Sequence, residues 1–66
     1  MPIRVAEMIR LIEQDGWVCV RQTGSHRQYH HRTKRGTVTI AGKMSAELHP
    51  KTERSIRRQA NLEDQK

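Results

Sequence analysis

Sixty-six residues make one domain, and a chain this short buries only about 60% of its unfolded surface, so its stability is marginal. With 33% hydrophobic residues, no Phe, one Trp and one Tyr, it has material for one small core and no stretch apolar enough to cross a bilayer. Thirteen Lys and Arg against seven Asp and Glu give a formal charge of +6, which points to a polyanionic partner, nucleic acid before membrane.

Val5, Met8, Ile9 and Ile12 fall at i, i+3, i+4 and i+7, one stripe of an amphipathic helix expected over Ile3 to Asp15. Arg4, Glu7 and Gln14 cover the opposite side. Pro2 suits the helix start, and Gly16 suits the left-handed residue that ends it. Trp17 to Gln22 is rich in strand formers and too short for another helix. Thr23-Gly24-Ser25 supplies a turn, and His26 to His31 follows as a second strand. After a polar turn over Arg32 to Gly36, Thr37-Val38-Thr39-Ile40 alternates polar and apolar β-branched residues, a third strand.

Gly42 to His49 is a connecting loop anchored by Leu48. A second helix starts at Pro50 or Lys51 and runs to about Ala60, with Thr52, Ile56, Gln59 and Ala60 as its weak inner stripe. Glu53 and Arg57 make an i, i+4 ion pair on its flank. Asn61 suits a left-handed cap with Leu62 folding back onto the helix, and the last four residues read as a frayed tail.

The order is therefore α-β-β-β-α. Apolar surface for only one core puts both helices on one face of a three-stranded antiparallel sheet, a two-layer α+β domain with its other sheet face wet. Strand parity orients the residues. Val38, Ile40 and Tyr29 turn inward, so His26, Gln28 and His30 line the open face. Arg27 shares the inward parity, with its head reaching the edge toward phosphate. Trp17 is expected as half-buried core and Cys19 as a small buried hydrophobe. A single Cys has no intramolecular partner, which fits a reducing cytoplasm, and no signal-peptide pattern is present.

Between Gly16 and Ala46 stand Arg21, Arg27, Arg32, Lys34, Arg35 and Lys43, and no acidic residue. A nuclease that gathers Mg²⁺ on converging carboxylates is therefore not expected. Cys19, His26, His30, His31 and His49 do not have zinc-ligand spacing, and adjacent His30 and His31 point to opposite faces. Gly-rich phosphate loops and Ser-His-Asp arrangements are likewise missing. Metal-free cleavage of RNA, whose 2′-hydroxyl is a built-in nucleophile, stays open as one reading, beside that of a strand-edge histidine as a plain surface residue. A histidine suits removal of that proton, and nearby Arg and Lys suit the phosphorane charge.

The run Gly16-Trp17, Arg21-Gln22-Thr23-Gly24-Ser25-His26-Arg27-Gln28-Tyr29-His30-His31 and Gly36-Thr37-Val38-Thr39-Ile40 resembles the HicA (YcfA-like) messenger-RNA interferase family. The resemblance continues through Glu47-Leu48, Pro50, Thr52, Arg54-Ser55-Ile56, Arg58-Gln59-Ala60 and Leu62, nearly the whole chain. It implies a fold like the double-stranded-RNA-binding domain and a toxin that cleaves messenger RNA without a metal or other cofactor. It also implies a HicB-type antitoxin as partner, and His26 as the catalytic residue. Around His26, the residues expected to hold RNA are Arg21, Ser25, Arg27, Gln28, His30, Lys34, Arg35 and Lys43. The chain departs from the family at Lys51, Glu53, Arg57 and Asn61, where Gly, Leu, Leu and Gly are common. Two other readings stand beside this one. One is a non-catalytic RNA-binding module of the double-stranded-RNA-binding type, although the first turn is short for reaching a minor groove. The other is a structural subunit whose basic surface serves an acidic protein.

Overall fold

In the computed structural model, which describes residues 2–62, helix α1 spans Val5–Gln14 and three strands follow: β1 Trp17–Thr23, β2 His26–His31 and β3 Val38–Ile40. Helix α2, Pro50–Gln59, closes the order α-β-β-β-α. The expected frayed tail lies outside the described residues.

Helix α1 begins two residues later than the periodicity predicts. Ile3 and Arg4 are tied to the segment before α2: the Leu48 amide donates to the Ile3 carbonyl at 2.8 Å, and Arg4 bridges Glu47. Arg4 is the N-cap, its extended backbone held by a bond from its amide to Glu7 Oε1 at 2.9 Å. Pro2 therefore lies outside the helix. The amides of Val5 and Ala6, which an isolated helix would leave open, donate to the carbonyls of Ala46 and Met44 at 2.9 and 3.0 Å. Asp15 forms the C-cap, and Gly16 at φ +110° turns the chain into β1.

The sheet is antiparallel in the order β1-β2-β3. A two-residue turn, Gly24–Ser25, joins β1 to β2, with Thr23 opposite His26. Gly24 takes φ +59°, the positive angle that a type II′ hairpin turn requires at its first central position. In β3, Val38 and Ile40 are fully buried and Thr39 is exposed, as the alternation predicts.

One core lies between the sheet and the two helices. Val5, Met8, Ile9 and Ile12 of α1 meet Trp17, Tyr29, Val38 and Ile40 of the sheet, joined by Leu48, Ile56, Ala60 and Leu62. Trp17 is 1% exposed, so it belongs wholly to this core and is not half-buried as expected. Burial pushes the Tyr29 hydroxyl above its usual range, with Cys19 and Glu13 adding to the effect and Arg27 opposing it. Helix α2 contributes less than its expected stripe. Ile56 and Ala60 are buried, but Thr52 and Gln59 are exposed. The Gln59 side chain instead accepts from the Thr39 amide at 3.5 Å, at the edge of β3. The chain leaves α2 through the expected cap. Asn61 sits at φ +56°, its amide donates to Arg58, and the Leu62 amide reaches back to the Arg57 carbonyl at 2.9 Å. No helix among the described residues is long and apolar enough to cross a membrane.

Candidate nucleic-acid interface

The sheet face turned away from the helices is built by register. Val18 stands opposite His30, Arg21 opposite Gln28, and Thr23 opposite His26, while Gln28 also stands opposite Thr39 of β3. Side chains of directly opposed residues share a face. Arg21, Gln28 and Thr39 therefore form one polar row across all three strands, with His26 and His30 on either side of it along β2.

Arg21 reaches this face because β1 carries an irregularity. Cys19 pairs with Tyr29, but Arg21 pairs with Gln28, so one extra residue sits between them in β1. Strict alternation from Trp17 would have turned Arg21 toward the helices. The bulge resets the parity and delivers its guanidinium to the open face. The same stretch of β1 rises out of the core. Cys19, expected to be buried, is exposed, as are Val18 and Val20. Of the strand's apolar run only Trp17 is buried.

His26 follows directly on the Gly24–Ser25 turn at the start of β2. It is exposed, and its ring makes no hydrogen bond to any described residue. The peptide before it is held firmly. The Ser25 carbonyl accepts from the Gly42 amide at 3.3 Å and from Arg27 Nη1 at 3.3 Å. Arg27 Nη1 also donates to the Gly42 carbonyl at 3.0 Å. Arg27, expected to reach toward phosphate, thus clasps two backbone carbonyls through Nη1. Lys43, exposed, lies next to Gly42 and so enters the His26 end of the sheet.

The other predicted residues stand at the far end of β2, about 17 Å from His26 by strand rise. Arg35 is exposed in the turn after β2. Lys34 is expected to hold RNA, but it is engaged in the fold. Its Nζ lies 2.5 Å from Asp15 Oδ2 and donates to the carbonyls of Ala60 and Asn61 at 3.3 and 3.0 Å. It ties the C-terminal end of α1 to that of α2 and does not join the open face.

The remaining histidines also have structural duties. His31 Nδ1 accepts from the amides of Thr33 and Lys34 at 3.0 and 3.1 Å, and Nε2 sits 2.6 Å from the Asp15 carbonyl. That pattern assigns the ring proton to Nε2, which donates to Asp15. His49 is the N-cap of α2, its Nδ1 accepting from the Lys51 amide at 3.1 Å. Among the described residues, no three His, Cys, Asp or Glu side chains gather as metal ligands would. The bulge that reorients Arg21 and the clasp at Gly42 were not visible in the sequence.

Compared with known families, residues 5–62 match the family described as HicA toxin of bacterial toxin-antitoxin. Comparison with curated proteins gave no match.

Proposed function

Since the chain belongs to the HicA toxin family of bacterial toxin–antitoxin systems, we propose that it is a metal-independent endoribonuclease that cuts messenger RNA with His26 as general base. The observation that carries this reading is an exposed imidazole without a hydrogen-bond partner among the described residues, set on a clasped hairpin turn at the end of an open polar face. Around it lies a 31-residue stretch, Gly16 to Ala46, with six basic residues and no carboxylate to repel phosphate.

RNA lies across the sheet face. His26 takes the proton from a 2′-hydroxyl, and that oxygen attacks the adjacent phosphorus. The new P–O2′ bond forms as the P–O5′ bond breaks, and the departing 5′-oxygen takes a proton from water. The products are a 2′,3′-cyclic phosphate and a 5′-hydroxyl. Arg21, Gln28 and Lys43, with the Ser25 hydroxyl, steady the charge that develops on the phosphate. His30 is about 13 Å from His26 along the strand, too far to serve the same phosphodiester. It and Arg35 hold neighbouring phosphates. Lys34, held by Asp15, is left out of the interface. A HicB-type antitoxin neutralises the toxin by covering this face. The chain works as one domain in the cytoplasm, where its messenger-RNA substrate is found.

Analysis of the cleaved ends tests the chemistry. This mechanism predicts cyclic phosphate on the upstream fragment and a free 5′-hydroxyl on the downstream one. Fragments ending in 3′-hydroxyl groups would require an attacking water or metal hydroxide and would exclude it.

A further inference from the structure

Arg27 is a β2 residue on the inner parity of the sheet, opposite Gln22 of β1 and Ile40 of β3. It is half-buried, and one terminal nitrogen bridges two backbone carbonyls, Ser25 at 3.3 Å and Gly42 at 3.0 Å. Ser25 belongs to the hairpin turn that leads into His26, and Gly42 to the loop that leads into Lys43. The Gly42 amide closes the arrangement by donating to the Ser25 carbonyl at 3.3 Å. Gly42 takes φ +111°, which lets its amide and carbonyl both face this clasp, a conformation that side-chain-bearing residues rarely adopt. A surface arginine would place its guanidinium in water or on a phosphate. Here one terminal nitrogen, Nη1, is given to main-chain oxygens of two segments apart in sequence.

We infer that Arg27 is a positioning residue, which fixes the His26 turn against the Lys43 loop and makes no contact with RNA. The inference rests on the endoribonuclease reading for what is positioned, while the clasp itself stands on the geometry. Two consequences follow from where its charge is spent. Removing Arg27 loosens the relative placement of His26 and Lys43, so the chemical step slows while ground-state binding persists. Arg27 neutralises no phosphate, so the salt dependence of RNA binding is unchanged without it.

The experiment compares the full chain with Arg27→Ala and Arg27→Lys, each checked for folding by circular dichroism. Exchange of the Gly42 amide is measured by NMR alongside cleavage kinetics and RNA affinity at several salt concentrations. In Arg27→Ala we expect Gly42 exchange to quicken by roughly tenfold or more, and kcat to fall on the order of tenfold with KM within about twofold. Arg27→Lys, which keeps the charge but not the planar fork, is expected to lie between. A raised KM at unchanged kcat, with a shallower salt slope, would make Arg27 an RNA contact and overturn the inference. If the parent protein cuts no RNA, the endoribonuclease reading falls. Gly42 exchange then decides the clasp alone: faster exchange upholds it, and unchanged exchange removes it.

Discussion

Gly16 shows how much of this fold depends on a single missing side chain. It sits at φ +110°, and a Cβ placed there would lie 2.7 Å from His31 Nε2. The His31 ring occupies that space, edge-on to Trp17 with ring centres 5.2 Å apart, and bonds to Asp15 just before the glycine. Gly24 also has positive φ, but nothing lies within 4 Å of where its Cβ would be. Gly16→Ala therefore meets both backbone strain and a collision, whereas Gly24→Ala meets strain alone. Gly16→Ala should cost about 2–4 kcal/mol of stability and Gly24→Ala about 1 kcal/mol. Urea unfolding of the two variants checks the order, and equal losses would mean that the His31 ring moves aside freely. The sequence marks both glycines as turn residues. It does not show that a histidine fifteen positions later packs over the first of them, because that contact exists only once β1 and β2 pair Trp17 with His31.

At the level of elements, local pattern reached furthest where one period governs a whole segment. The α1 stripe and the alternation in β3 were legible, since each residue faces a single neighbouring layer. β1 was less legible. Period-two reasoning does not foresee the extra residue that moves Arg21 to the open face, nor that Cys19, on the face it shares with Tyr29, is exposed. In α2 the expected inner stripe is Thr52, Ile56, Gln59 and Ala60, of which Thr52 and Gln59 are exposed. The helix in fact relies on Ile56, Ala60 and the Leu62 return. Glu53 and Arg57 join at 3.1 Å on a partly exposed flank. Such a pair at i, i+4 is worth a few tenths of a kcal/mol. Glu53→Gln should thus lower stability by about 0.3–0.5 kcal/mol in low salt and by less in high salt. A loss above about 1.5 kcal/mol in denaturant unfolding would show that this flank carries more of the packing than its exposure allows.

For the whole molecule, the element order and the two-layer architecture followed from one thin supply of apolar residues. What did not follow was how the two ends of the sheet are secured. At one end the loop before α2 caps α1 through Met44 and Ala46 and meets the His26 turn at Gly42. At the other, Lys34, Asp15 and His31 join the C-terminal ends of both helices to β2. These are contacts between segments distant in sequence, made largely by backbone groups that every residue carries, so no residue pattern announces them. The consequence for the site is a division of labour among residues that look alike in sequence. Among the described residues His26 has no hydrogen-bond partner, while His31 and His49 hold main-chain amides. Arg21 faces the open sheet, while Arg27 and Lys34 hold the frame. On the proposed mechanism cleavage rests on His26 alone. It is tested most directly by incubating the parent protein and a folded His26→Ala variant with labelled single-stranded RNA in excess EDTA. Cleavage by the parent and a loss of at least about a hundredfold in the variant is the predicted result. Equal cleavage by both, or RNA binding by both with no cleavage at all, would contradict it.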